Sequence, residues 1–241
     1  MSELQTKPTD GQRRRSQTDR REEARERILD AAEELFAKRG YYGVTLREVA
    51  AQASSDTALI HYYFASKAGL FDAVIARRAE EVNRVRMQSL ERYERDLGDA
   101  MTAHGVVQAY LKPTFDLMLK GGEGHRNYGA VIAKINSMAS SDELNVVTTP
   151  FDPVVHKLVA LLRRVRPGCS DADLYWFYHM LSGAITLSLA QTGRIDALSG
   201  GLCASSDFAA ICERMAAIFG QGFDALPERP ARKPAARRKP R

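Results

Sequence analysis

TLREVAAQASSDTALIHYYFASK, residues Thr45–Lys67, carries two short apolar-periodic segments separated by small polar residues. Thr45-Leu-Arg-Glu48 is a capping box: the Thr45 hydroxyl accepts from the third-position N–H while Glu48 returns to the N–H of the cap. The helix started there places Leu46, Val49, Ala50 and Ala53 on one side. Past Ser54-Ser55, Asp56 caps a second helix in which Leu59 or Ile60, Tyr63 and Phe64 share an apolar face. That spacing of three and four excludes a β-strand. Two short helices joined by a tight turn make a helix-turn-helix, which needs an apolar back and a small, polar front end on its second helix. Ile60, Tyr63 and Phe64 fit the back; Ser55, Asp56, Thr57, Ala58 and His61 fit the front.

Outward from this stretch the chain reads as helix after helix. On the N-terminal side, Ile28, Ala32, Leu35 and Phe36 recur at helical spacing from about Arg21 to Arg39, with Lys38-Arg39 late, as the macrodipole prefers, and Gly40 as the stop. On the C-terminal side Ser66 caps a helix that turns Leu70, Phe71, Val74 and Ile75 inward and continues through the charged RRAEEVNRVRMQSLERYER as a connector. Further helices are predicted near 99–120, 124–139, 152–166, 171–192 and 207–224, broken by Gly121-Gly122, Pro150, Pro153, Pro167-Gly168 and Gly200-Gly201. No alternating strand pattern is present, so the fold class is all-α. Residues 1–21 and 227–241 are polar and basic, and read as a disordered arm and a disordered, extended tail.

The net charge of +5 belongs to those arms, because residues 22–226 hold 22 Lys/Arg against 26 acids. A folded body of mildly acidic character gives no general nucleic-acid signal, and individual charges matter instead. No apolar run of membrane-spanning length and no signal-peptide core occurs, which predicts a soluble, cytoplasmic chain. Cys169, Cys203 and Cys212 are widely spaced and lack histidine partners at metal spacing; free thiols are expected, with no metal and no cofactor.

The run RILDAAEELFAKRGYYGVTLREVAAQASSDTALIHYYFASKAGLFDAV resembles the N-terminal domain of TetR-family transcriptional regulators over residues 22–82, with the helix-turn-helix at about 45–64. The ending aromatic-Phe-x-Ser-Lys-x-x-Leu is especially characteristic. The resemblance implies a TetR-like fold with a helical effector-binding and dimerisation domain over 83–226, double-stranded operator DNA as partner, and regulation by a small molecule. It also assigns roles. Thr45 matches a cap that touches phosphate; Thr57, Ala58 and Leu59 match the base-facing start of the recognition helix; Tyr62 and Lys67 match contacts to the DNA backbone, and Ser55 is a further DNA-binding candidate. Asp56 is read as a helix cap, with contact to a cytosine amino group as the alternative, and His61 as either solvated or base-contacting. Ser54-Ser55 stands where many members have Gly-Val, and Leu59 where many have threonine. The arginines Arg13, Arg14, Arg15, Arg20 and Arg21 either add phosphate contacts or form a solvated tail.

For the larger domain, DLYWFYHMLSGAITLSLAQTGRI (Asp173–Ile195) and DFAAICERMAAIFGQGFDAL (Asp207–Leu226) are similar to the last two helices of the family, which implies a homodimer through 171–192 and 207–224, with Ser182, Gly183 and Ala184 permitting close approach. Phe115, Met118, Tyr128, Ile132, Ile135, Met138, Trp176 and Met180 are the candidate lining of an effector pocket for a small apolar, acyl or aromatic metabolite. Ordinary core is the competing reading of that stripe. Control by a protein partner instead of a small molecule is the alternative functional class. An enzyme is not indicated: there is no Gly-rich phosphate loop, HExxH, GxSxG or Cys–His pairing, and His104, His125, His156 and His179 are scattered.

Overall fold

Gly40 ends the first helix, α1 (Asp10–Arg39): it takes φ 70°, and its N–H bonds the Phe36 carbonyl at 2.8 Å. Only a residue without Cβ adopts this conformation freely. The computed structural model describes residues 10–136 and 151–227. In it α1 begins at Asp10 and not near Arg21, so residues 10–21 are helix where the sequence suggested a disordered arm. The reason is propagation. No proline or glycine interrupts residues 12–39, Arg, Gln, Glu and Ala favour helix, and the packed second half supplies the nucleus from which polar turns extend at little cost.

Nine further α-helices follow among the described residues: α2 Leu46–Gln52, α3 Thr57–Phe64, α4 Lys67–Leu97, α5 Ala103–Lys120, α6 Gly122–Asn136, α7 Asp152–Val165, α8 Asp171–Ala190, α9 Arg194–Leu198 and α10 Phe208–Asp224. There is no strand among the described residues, and none of their helices is long and apolar enough to cross a membrane. The short α9 was not anticipated. The chain divides into two compact units at Ala76/Arg77, inside α4, slightly before the boundary at 82 that the sequence suggested.

The N-terminal unit packs α1, α2, α3 and the start of α4 around Ile28, Leu29, Phe36, Val49, Ile60 and Phe71, all at most 2% exposed. Phe71 is its centre: its ring meets Phe36 edge-on at 4.9 Å and Tyr41 at 5.0 Å. The C-terminal unit pairs α5 with α10 and α6 with α8, and α5 and α8 also pack against α7. Thr102, Ser170 and Asp207 cap α5, α8 and α10, accepting from Gly105, Asp173 and Ala210 N–H at 3.2, 3.2 and 3.0 Å. At Gly220 on α10 an added Cβ would lie 2.6 Å from His104 Cα, so glycine is what lets α10 close on the start of α5. At the other end of α10, Arg166 donates to the Phe223 carbonyl at 2.8 Å and to that of Asp224, closing the negative pole of that helix.

Candidate nucleic-acid interface and cavity

The corner between α1 and α2 is built by the capping box. Thr45 N–H and hydroxyl both donate to Glu48 Oε2 at 2.7 Å, Glu48 N–H donates back to Thr45 Oγ1 at 3.3 Å, and Arg39 Nη1 donates to Glu48 Oε1 at 2.7 Å. The Thr45 hydroxyl lowers the Glu48 pKa most, followed by Arg39 and the Thr45 N–H, together taking it from 4.5 to about 2. A phosphate approaching exposed Thr45 would therefore have to displace an existing bond.

One prediction follows from this corner. Because the folded value lies below the unfolded one, the contribution of Glu48 to stability is complete above about pH 4.5 and is lost as pH falls toward 2. Glu48→Gln should remove that portion of the acid sensitivity, read as urea midpoints across the same window. A variant with the parent's pH profile would detach Glu48 from stability.

The turn into α3 is a Schellman arrangement. Ser54 takes φ 48°, Ser55 N–H bonds the Ala50 carbonyl at 2.9 Å, and Ser54 N–H bonds that of Ala51 at 3.3 Å. Serine thus occupies the left-handed position that glycine normally fills, at a cost of about 1 kcal/mol. Asp56 accepts from Ala58 N–H and so caps α3, as the sequence suggested. At the far end Ala65 has φ 61°, with Ser66 N–H reaching the Phe64 carbonyl at 2.6 Å in a tight three-residue turn. The eight-residue α3 is therefore bracketed by two non-glycine residues at positive φ.

On α3, Ile60 and Phe64 are buried, whereas Ala58, His61 and Tyr62 are exposed, Tyr62 by 72%. Thr57 and Leu59 are half-buried flanks. Ser55 is half-buried too, its hydroxyl enclosed and unpartnered. His61 Nδ1 lies 3.0 Å from the Ala65 carbonyl, so the ring closes the end of its own helix and leaves Nε2 outward. Tyr63 is half-buried; its hydroxyl donates to the Arg21 carbonyl at 3.0 Å and ties α3 to α1. Lys67 opens α4 with its ammonium 4.4 Å from the centre of the Tyr41 ring, a cation–π contact. Arg47, on α2 and exposed, was not singled out from the sequence.

The C-terminal unit holds a cavity of about 110 Å³. Of the expected lining residues it brings together Met118, Tyr128 and Ile132. Phe115 instead stacks on Phe208 at 5.7 Å in the core, and half-buried Ile135 does not line the cavity. Trp176 and Met180 lie on the opposite side of α8, 63% and 54% exposed, because Leu174, Phe177, Leu181, Ile185 and Leu189 take the inward stripe. Met138 lies outside the described residues.

The cavity also holds a group that sequence reading missed. Arg86 on α4 is 7% exposed, donates from Nε to Thr114 Oγ1 at 2.6 Å, and places its guanidinium 4.5 Å from the Tyr110 ring centre. Tyr128, 3% exposed, keeps its hydroxyl enclosed and unpartnered; burial drives its pKa upward, against the pull of the Arg86 charge. The signal was present in the spacing: Ile75, Ala79, Val82, Arg86 and Leu90 form one buried stripe at steps of three and four, with an arginine in it.

Comparison with known proteins agrees with this architecture on both units. Residues 28–74 match the family described as bacterial regulatory proteins, tetR family, and residues 108–222 match the tetracyclin repressor-like C-terminal domain. The chain is 44% identical over 46 residues to the HTH-type transcriptional regulator HbdR of Aromatoleum sp. (strain CIB), covering 19% of this chain and 20% of that protein. It is 32% identical over 98 residues to the HTH-type transcriptional repressor NicS of Pseudomonas putida, covering 41% and 43%. The matched stretches thus span less than half the length of these curated relatives. Among solved structures, a TetR-like transcriptional regulator from Rhodococcus sp. RHA1 superposes with a TM-score of 0.59 at 18% identity over 84% of this chain and 97% of that one. HlyIIR, a hemolysin II transcriptional regulator, gives 0.53 at 19% identity over 80% and 97%. These structural likenesses speak to the fold alone. With its helix-turn-helix matched in one stretch and its larger helical unit in another, the chain belongs to the TetR family of bacterial regulatory proteins.

Proposed function

We propose that the protein is a homodimeric repressor that binds a near-palindromic operator and is released from it by a small molecule. The observation that carries the DNA-binding half is the division of α3, with Ile60 and Phe64 sunk in the core and Ala58, His61 and Tyr62 facing out beside a capped N-terminus. In the operator complex Thr57, Ala58 and Leu59 meet base edges. Tyr62, Lys67 and Thr45 hold the sugar-phosphate backbone, which fixes register without reading sequence.

The dimer reading rests on α8 and α10. Trp176, Met180, Gly183 and Leu187 recur along one outward stripe of α8, and Ile218 stands 67% exposed on α10. Beside Leu187 the stripe runs into an apolar groove lined by Ile195, Leu198 and Ile211. Nothing lies within 4 Å of a Cβ built on Gly183, leaving room for a helix to approach closely. A surface of this kind suits a two-fold interface. Two α3 helices would then address half-sites about 34–36 Å apart. A ligand in the cavity that favours the DNA-free conformation lowers operator affinity by its difference in affinity for the two states.

Selection from random-sequence DNA with the purified full chain tests the reading. An inverted repeat with half-site centres roughly 10 base pairs or a little more apart is expected. Ala58→Glu, which changes no buried contact, should weaken binding to that sequence by about 100-fold through repulsion at the duplex. Enrichment of no sequence, or full binding by the variant, would overturn it.

A further inference from the structure

The cavity has a polarity of its own. Its buried lining includes Arg86, Tyr110, Thr114 and Tyr128, while the exposed Asn136 and Asp152 mark its opening. Val82, Met118, Ile132, Ile185 and Leu189 are the aliphatic part of the remaining wall, to which Tyr178, Ser182 and Thr186 add hydroxyls. Arg86 is always charged and has five N–H donors. Among the described residues only its Nε donates, to Thr114, and no carboxylate lies within ion-pair distance of it. Asp152 shares the cavity but is exposed and makes no ion pair with it. The unpartnered Tyr128 hydroxyl belongs to the same cavity, within the field of this charge.

A buried guanidinium without a counter-charge and a buried hydroxyl without a partner are each unfavourable unless something else completes them. A cation–π contact with Tyr110 offsets only part of the charge. We infer that the cavity binds a small monocarboxylic acid, its carboxylate paired with the Arg86 guanidinium and accepting from the Tyr128 hydroxyl, its apolar body lying against Met118, Ile132 and Leu189.

The inference rests on the proposal above that this unit binds an effector. A carboxylate matches the flat fork of an arginine with two parallel hydrogen bonds. A phosphate dianion fits worse, because among the described residues Arg86 is the only cationic side chain on the wall and Asp152 adds a negative charge at the opening. Size limits the body. A dry cavity of about 150 Å³ holds benzene, so about 110 Å³ sets one ring or a short branched chain as the upper limit.

The test compares benzoate and isovalerate with their neutral amides, benzamide and isovaleramide, by calorimetry and thermal shift on the full chain. The acids should bind and raise Tm, and the amides should bind at least roughly 30-fold more weakly. Arg86→Met should abolish the preference for acid over amide while melting no lower than the parent without ligand, since it removes an uncompensated charge. Tyr128→Phe deletes only the unpartnered hydroxyl and should weaken acid binding about five-fold, whether or not the first variant folds well. Equal binding of acid and amide, no binding of either acid, or acid binding untouched by both substitutions would overturn the inference. A neutral metabolite that raises Tm and releases operator DNA would leave ligand control standing while removing the acid. Failure of any compound, charged or neutral, to release DNA would remove ligand control itself.

Discussion

Leu187→Glu is expected to yield a monomer. The side chain is 68% exposed on the protomer and sits on the outward α8 stripe with Trp176, Met180 and Gly183, so the substitution disturbs little packing within the chain. In the proposed two-fold interface it places two carboxylates in one apolar seam, and burying an unpaired charge costs several kcal/mol. Light scattering should give the protomer mass, and circular dichroism should give unchanged helicity. Operator affinity should fall by about 100-fold or more, because the second half-site no longer binds as a tethered event. The melting temperature should also lose its dependence on protein concentration. A variant that keeps the dimer mass and operator affinity would move the interface to another face.

Phe71→Ala is expected to cost about 3–5 kcal/mol. The ring is 2% exposed and contacts Phe36 and Tyr41 edge-on, so its removal leaves a cavity in a small core and deletes two aromatic pairs. That is a large share of the 5–15 kcal/mol typical of a whole domain. Since α1, α2, α3 and the first turns of α4 share this core, urea should unfold the N-terminal unit first, with part of the helix signal and all operator binding lost before the larger unit melts. A single transition at the parent midpoint would show that Phe71 carries little of this stability.

The parts of the structure that were legible in the sequence are those decided by contacts a few residues apart. The Thr45 capping box, the Asp56 cap and the Gly40 stop each depend on a side chain and a backbone group within one turn, and each occurs where it was expected. The inward face of α8 was not legible for the opposite reason. Leu174, Phe177, Leu181, Ile185 and Leu189 form one apolar stripe, and Trp176, Met180 and Leu187 with Gly183 form another, both at helical spacing. Composition cannot rank two such faces; α6, α7 and α10, packed on one of them, do. Phe115 failed as a pocket residue likewise, because its neighbour Phe208 is distant in sequence. Arg86 was hidden among many charges, although its register with Val82 and Leu90 marked it as an inward residue. The start of α1 was misjudged because low hydrophobicity argues against a packed helix, not against a helix continuing from a packed one.

The two positive-φ residues around α3 give this helix the character of an exchangeable cartridge. Its ends are set by backbone turns at Ser54 and Ala65, and its seat by Ile60 and Phe64, none of which belongs to the outward positions 58, 61 and 62. Changes at Ala58 and Tyr62 alter the outward surface without altering how the helix is mounted, whereas His61 also closes the helix end through the Ala65 carbonyl. In the proposed operator complex a substitution at Ala58 would therefore change what the duplex meets while leaving the stability of the unit as it is.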